Sequence, residues 1–147
     1  MYSSNNKYGY SFEYPKLYET NTYSTCMPTV IDSDYYLQYL RFGYRSELAI
    51  AVNKLPSFDQ FVDQWIIGMD IEYKDYQWIN DIKAITVDYR FGGLNRFGTT
   101  TFIGQDDLVF IFNFTAGGSC DLNEIGLDEY TIYRHAVETF KLYSYNP

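Results

Sequence analysis

The stretch Leu108–Ala116, Leu-Val-Phe-Ile-Phe-Asn-Phe-Thr-Ala, constrains this chain more than any other. Read with the two-residue period of a strand, Leu108, Phe110, Phe112 and Phe114 fall on one face and Val109, Ile111 and Asn113 on the other. Both faces are largely apolar, so the strand needs cover on both sides. It belongs inside a sheet, with one layer packed above and another below. Asp106-Asp107 before it and Gly117-Gly118 after it supply the turn residues that end the run.

The segments around this centre provide the rest of such a fold. Tyr8, Tyr10, Phe12 and Tyr14 alternate with small or polar residues, the pattern of a half-buried strand that Pro15 stops. Residues 1–7 are polar and are expected to be a disordered, fraying tail. Residues 16–33 read as a long connection with a short strand around Thr29–Ile31. Tyr35–Phe42 and Glu47–Leu55 are strand candidates joined by a hairpin-sized link, Gly43 to Ser46. In the second of them Ala49 and Ala51 leave room for a helix to approach. Asn80–Phe91 contains a strand and Arg96–Ile103 another, so residues 82–116 predict a three-stranded antiparallel meander.

Two helices are signalled. Ser57 and Gln60 form a capping-box pattern. Phe58, Phe61, Val62, Trp65 and Ile66 then fall on one stripe, with Gly68 weakening the end. The second helix spans about Leu127 to Phe140, with Tyr130, Tyr133, Val137 and Phe140 inward and Asp128 and Glu129 in the first turn, where the helix dipole favours them. The fold expected is α/β (α+β): an antiparallel sheet of about six strands sandwiched between helices. At 147 residues the chain suits a single domain, 1–147.

Composition narrows the function classes. The net charge of −8 opposes the phosphate backbone and anionic lipid, so no nucleic-acid partner is expected. No apolar run is long enough to span a bilayer. Seventeen Tyr and 11 Phe fit strand-rich packing, and a Tyr excess also suits a binding surface.

No catalytic constellation stands out. Asp32/Asp34 and Asp106/Asp107 read as solvated turn acids and His135 as a surface helix residue. Ser57 is a cap, Gly92-Gly93 and Gly117-Gly118 are turns without phosphate-loop spacing, and the Asn113-Phe114-Thr115 sequon lies in a buried strand. With one His and two Cys, a structural zinc site is nearly excluded; no metal and no cofactor is expected. Cys26 and Cys120 both lie in predicted loops. They are candidates for a disulfide, with two separate buried thiols as the alternative.

Several segments resemble the PsbP-like superfamily, which includes the DcrB-like periplasmic proteins. Tyr8-Gly9-Tyr10-Ser11-Phe12-Glu13-Tyr14-Pro15 looks like its first-strand motif. Val52-Asn53-Lys54-Leu55-Pro56-Ser57, with Phe58 to Trp65, is similar to its strand-into-helix step. Leu108–Thr115 and Leu127–Leu142 resemble its final strand and closing helix. The likeness lapses over residues 16–33 and 70–80, and no partner-binding or metal-binding residue carries over.

The resemblance implies an α/β/α sandwich and a non-enzymatic role, as an accessory subunit or exported protein. The function expected is therefore an accessory or binding domain that acts through protein–protein interaction and is not an enzyme. One alternative is a small-ligand-binding protein or enzyme with a pocket between sheet and helix, lined by Trp65, Trp78, Tyr89 and Tyr133. Another is a cytosolic regulatory adaptor. An extracytoplasmic location, with a leader removed, accompanies the first reading; a cytoplasmic one follows if Met1 is the native start.

Overall fold

The computed structural model describes residues 3–5, 9–14, 37–41, 46–91, 96–105, 107–116 and 125–143. In chain order they form β1 (Ser3–Asn5), β2 (Tyr10–Phe12), β3 (Gln38–Arg41), β4 (Ser46–Val52), α1 (Phe58–Trp65) and β5 (Asp70–Ile79). There follow β6 (Ile82–Phe91), β7 (Arg96–Gln105), β8 (Leu108–Ala116), α2 (Ile125–Glu138) and β9 (Lys141–Leu142). Six strands make one antiparallel sheet in the order β3-β4-β8-β7-β6-β5, and β1-β2-β9 make a smaller one.

The organising strand β8 lies between β4 and β7, well inside the large sheet. Its register defines two faces. Ala49, Ile111, Phe102 and Ile85 form a row across β4, β8, β7 and β6 on one face. Helix α1 covers this row with Phe61 and Val62, and the Trp65 and Phe102 rings meet edge to face at 5.3 Å. Ala49 and Ala51 are buried here, on the side where small side chains let α1 approach. The Ser57 hydroxyl caps α1, accepting from the Gln60 N–H at 3.1 Å.

On the other face Leu48, Phe110, Phe112 and Phe114 pack under α2 through Tyr133, Ala136 and Val137, and against Phe140 just beyond its end. The small sheet completes this layer. Tyr10 and Phe12 are almost fully buried, and Phe12 meets Phe112 edge to face at 5.2 Å. A fully buried aromatic of this kind contributes about 3–5 kcal/mol, so this face carries much of the core. The second layer is thus a helix plus a small sheet rather than a helix alone.

The structure departs from the sequence reading in four places. Lys141–Leu142, the end of the stretch likened to a closing helix, is strand β9 and pairs with β2. Ser3–Asn5, within the tail expected to fray, pairs antiparallel with β2. Among the described residues of the Tyr8–Tyr14 pattern only Tyr10–Phe12 is strand, and it lies on the buried face instead of joining the large sheet. Residues 70–79 form a ten-residue strand, β5, that extends the meander to four strands. The Thr29–Ile31 strand lies outside the described residues. Among the described residues no helix is long and apolar enough to cross a membrane.

Candidate functional site

Strand β5 ends the large sheet, with no neighbour on its outer side among the described residues. Asn80 and Asp81, both at positive φ, make a two-residue hairpin turn from Ile79 back to Ile82. The Asn80 amide donates to the Phe140 carbonyl at 2.6 Å, tying this hairpin to the end of α2. A bulge between Ile71 and Tyr73 interrupts the ladder, so the regular part of β5 is Tyr73–Ile79.

Alternation sends Lys74, Tyr76 and Trp78 to the α1 face. Trp78 is 73% exposed, Tyr76 58%, and Tyr73 on the opposite face 57%. Such large exposed aromatics clustered on one edge are unusual for a surface that stays in water. Lys74 and Lys83 hold their ammonium groups 5.4 and 6.0 Å from the Tyr76 ring centroid, within cation–π range.

Helix α1 fixes both cations: Asp63 pairs with Lys74 at 3.2 Å and Asp59 with Lys83 at 2.8 Å. Burial pulls the Lys74 ammonium down, but hydrogen bonds to Tyr76 and Asp63 outweigh it and leave the group above its ordinary value. The result is an exposed aromatic–lysine face. It offers ring faces, cations and an open backbone edge, which are groups that bind rather than react.

Other polar groups hold the fold together. Asn113 accepts from Thr100 at 2.6 Å and Tyr89 at 3.0 Å, and donates to the buried Glu47 at 3.2 Å, linking β4, β8, β7 and β6. Burial raises the Tyr89 phenol above its usual value; the Thr100 hydrogen bond opposes this and the Glu47 charge adds to it. On the α2 face, Gln77, Thr86, Thr101 and Tyr133 form a hydrogen-bonded chain across β5, β6, β7 and α2. Full burial pushes the Tyr133 hydroxyl far above its ordinary value, with Thr101 offsetting part of the shift.

The four aromatics suggested for one pocket do not converge. Tyr89 and Trp65 belong to the core on the α1 face, Tyr133 to the core on the α2 face, and Trp78 to the exposed edge. The sheet lies between Tyr133 and the first two. His135 meets Glu13 at 2.9 Å on the surface. Asp107 is an exposed turn acid whose carbonyl accepts from Asn53 N–H. Among the described residues no three His, Cys, Asp or Glu side chains come together as metal ligands. Cys26, Cys120, Asp32, Asp34, Asp106, Gly92-Gly93 and Gly117-Gly118 lie outside the described residues.

The sequence reading missed Tyr73, Lys74, Tyr76 and Lys83. The signal available was the alternation Lys74-x-Tyr76-x-Trp78 leading into the Asn80-Asp81 turn.

No family model and no curated protein matches the chain. Solved structures do. The solution structure of cyanobacterial PsbP (CyanoP) from Synechocystis sp. PCC 6803 aligns over 97% of this chain and 92% of its own, with TM-score 0.55 and 12% identity. The fold is PsbP-like. A Pseudomonas aeruginosa protein of unknown function aligns over 69% of this chain and 74% of its own, with TM-score 0.48 and 16% identity. At 12% identity the likeness to CyanoP concerns the fold alone and leaves function to the site.

Proposed function

We propose that this chain is a non-enzymatic accessory domain that binds another protein through the aromatic–lysine face of β5. The observation that carries this reading is the exposure of Trp78 and Tyr76 beside Lys74 and Lys83 on the outermost strand. Aromatic residues flanked by polar groups are typical of the central part of protein interfaces. The PsbP-like fold, which is also that of CyanoP, is compatible with such a role.

The test is a pull-down from the native source with the full chain and with the double variant Tyr76→Ala/Trp78→Ala. Both side chains are largely exposed, so the variant is expected to stay folded, which circular dichroism checks. The reading requires a partner that wild type retains and the variant loses. Recovery of the same proteins by both, or of none at any salt, refutes it.

A further inference from the structure

The regular part of β5 carries a self-complementary pattern. Tyr73–Ile79 is a seven-residue stretch whose midpoint is Tyr76, and its two charges, Lys74 and Asp75, cancel. An open strand edge is a template for another strand, and its N–H and C=O groups specify antiparallel or parallel addition but not the partner. Side-chain pairing across the new seam chooses it.

We propose that β5 pairs antiparallel with β5 of a second copy of this chain, about a two-fold axis through Tyr76. The inference rests on the reading of β5 as the interaction strand. In this register Tyr76 meets its own copy, Lys74 meets Trp78, Asp75 meets Gln77, and Tyr73 meets Ile79. No like charges face each other, and each lysine gains an aromatic neighbour.

The neighbouring registers are worse. An axis through Asp75 sets two carboxylates face to face, and an axis through Lys74 does the same with two ammonium groups. An axis through Gln77 pairs only five residues before the Asn80-Asp81 turn intervenes. An axis between residues would join opposite faces of the two sheets, which the pleat forbids. The bulge at Ile71/Tyr73 stops the pairing at the point where the symmetric stretch ends.

The two-residue turn makes Ile79–Ile82 a hydrogen-bonded pair, so Lys74, Tyr76 and Trp78 turn their backbone groups outward, and the three pairs they form across the seam supply about six backbone hydrogen bonds. Tyr76 and Trp78 keep their outward faces. The two copies therefore join their aromatic–lysine faces into one surface, open to the heterologous partner.

Sedimentation equilibrium of the full chain tests this. Wild type should show a concentration-dependent mass rising from 17.3 kDa toward about twice that value. Gln77 faces Asp75 twice in the dimer. Gln77→Lys should therefore tighten association and Gln77→Glu weaken it, leaving the two dissociation constants about tenfold apart. Both substitutions remove the Gln77 amide that donates to Thr86 and place opposite charges at the same position. The same pair of substitutions at Gln64, exposed on α1, controls for net charge.

A wild-type mass fixed at the monomer value at the highest soluble concentration overturns the proposal. Equal behaviour of the two Gln77 variants, or the same split at Gln64, also overturns it. A monomer that still loses its partner on Tyr76→Ala/Trp78→Ala leaves the accessory-domain reading standing. A dimer with no partner removes that reading alone.

Discussion

Replacing Tyr133 by phenylalanine tests the buried hydroxyl chain under α2 in a way that a generic destabilisation cannot imitate. At neutral pH the variant loses one hydrogen bond, between the Tyr133 hydroxyl and Thr101. Thr101 is not orphaned, because Thr86 remains 2.8 Å away. The cost is therefore that of an ordinary buried hydrogen bond, about 1 kcal/mol, or about 2–4 °C in Tm for a chain of this size.

Alkaline pH reverses the balance. Tyr133 is fully buried and its folded-state pKa lies far above the usual phenol value, while the unfolded chain ionises near pH 10. Above that pH the unfolded state binds fewer protons than the folded one, so stability falls as pH rises. The contribution is intact below about pH 10 and declines by a little over 1 kcal/mol per pH unit above it. The phenylalanine variant has no phenol to ionise at this position and escapes that decline, so the two stability curves should cross between about pH 10 and 11. Urea unfolding of both proteins at pH 7, 9, 10 and 11 measures this. The other tyrosines titrate in both and cancel in the difference. A gap that stays constant from pH 7 to 11 refutes the argument.

Two further predictions concern other parts of the chain. Phe58, the first residue of α1, packs over Gly104 so closely that an added Cβ would overlap its ring. Gly104→Ala should cost about 1–3 kcal/mol by overpacking, and Phe58→Ala/Gly104→Ala should cost less than the sum of the single changes; full additivity by urea unfolding refutes the contact. Alkylation of the denatured, non-reduced protein, read by intact mass, should add no label at Cys26 or Cys120, the two candidates for a disulfide; two labels show separate thiols and defeat the bridge.

Much of the PsbP-like arrangement was legible in the chain itself. The double-sided apolar run of Leu108–Ala116 dictated an interior strand, the Phe58–Ile66 stripe a helix, and the Tyr130–Phe140 stripe the helix opposite. Periodicity could do this because it records which side of an element leaves water. It does not record which element supplies the cover. Only the tertiary structure placed β4 beside β8, although α1, β5, β6 and β7 intervene in the chain, and set Tyr10 and Phe12 on the α2 face as a separate small sheet.

Strand β5 marks the same limit. Its polar and aromatic residues alternate without a dry face, because an edge strand can leave both sides partly in water and draw its stability from one ladder of hydrogen bonds to β6. The Asn80-Asp81 turn was the local clue to that hairpin. The separation of Trp65 and Tyr89 from Tyr133, by contrast, had no local clue at all. Aromatic identity is the same on either face of a sheet, and only the register of β6, β7 and β8 decides which core each ring fills.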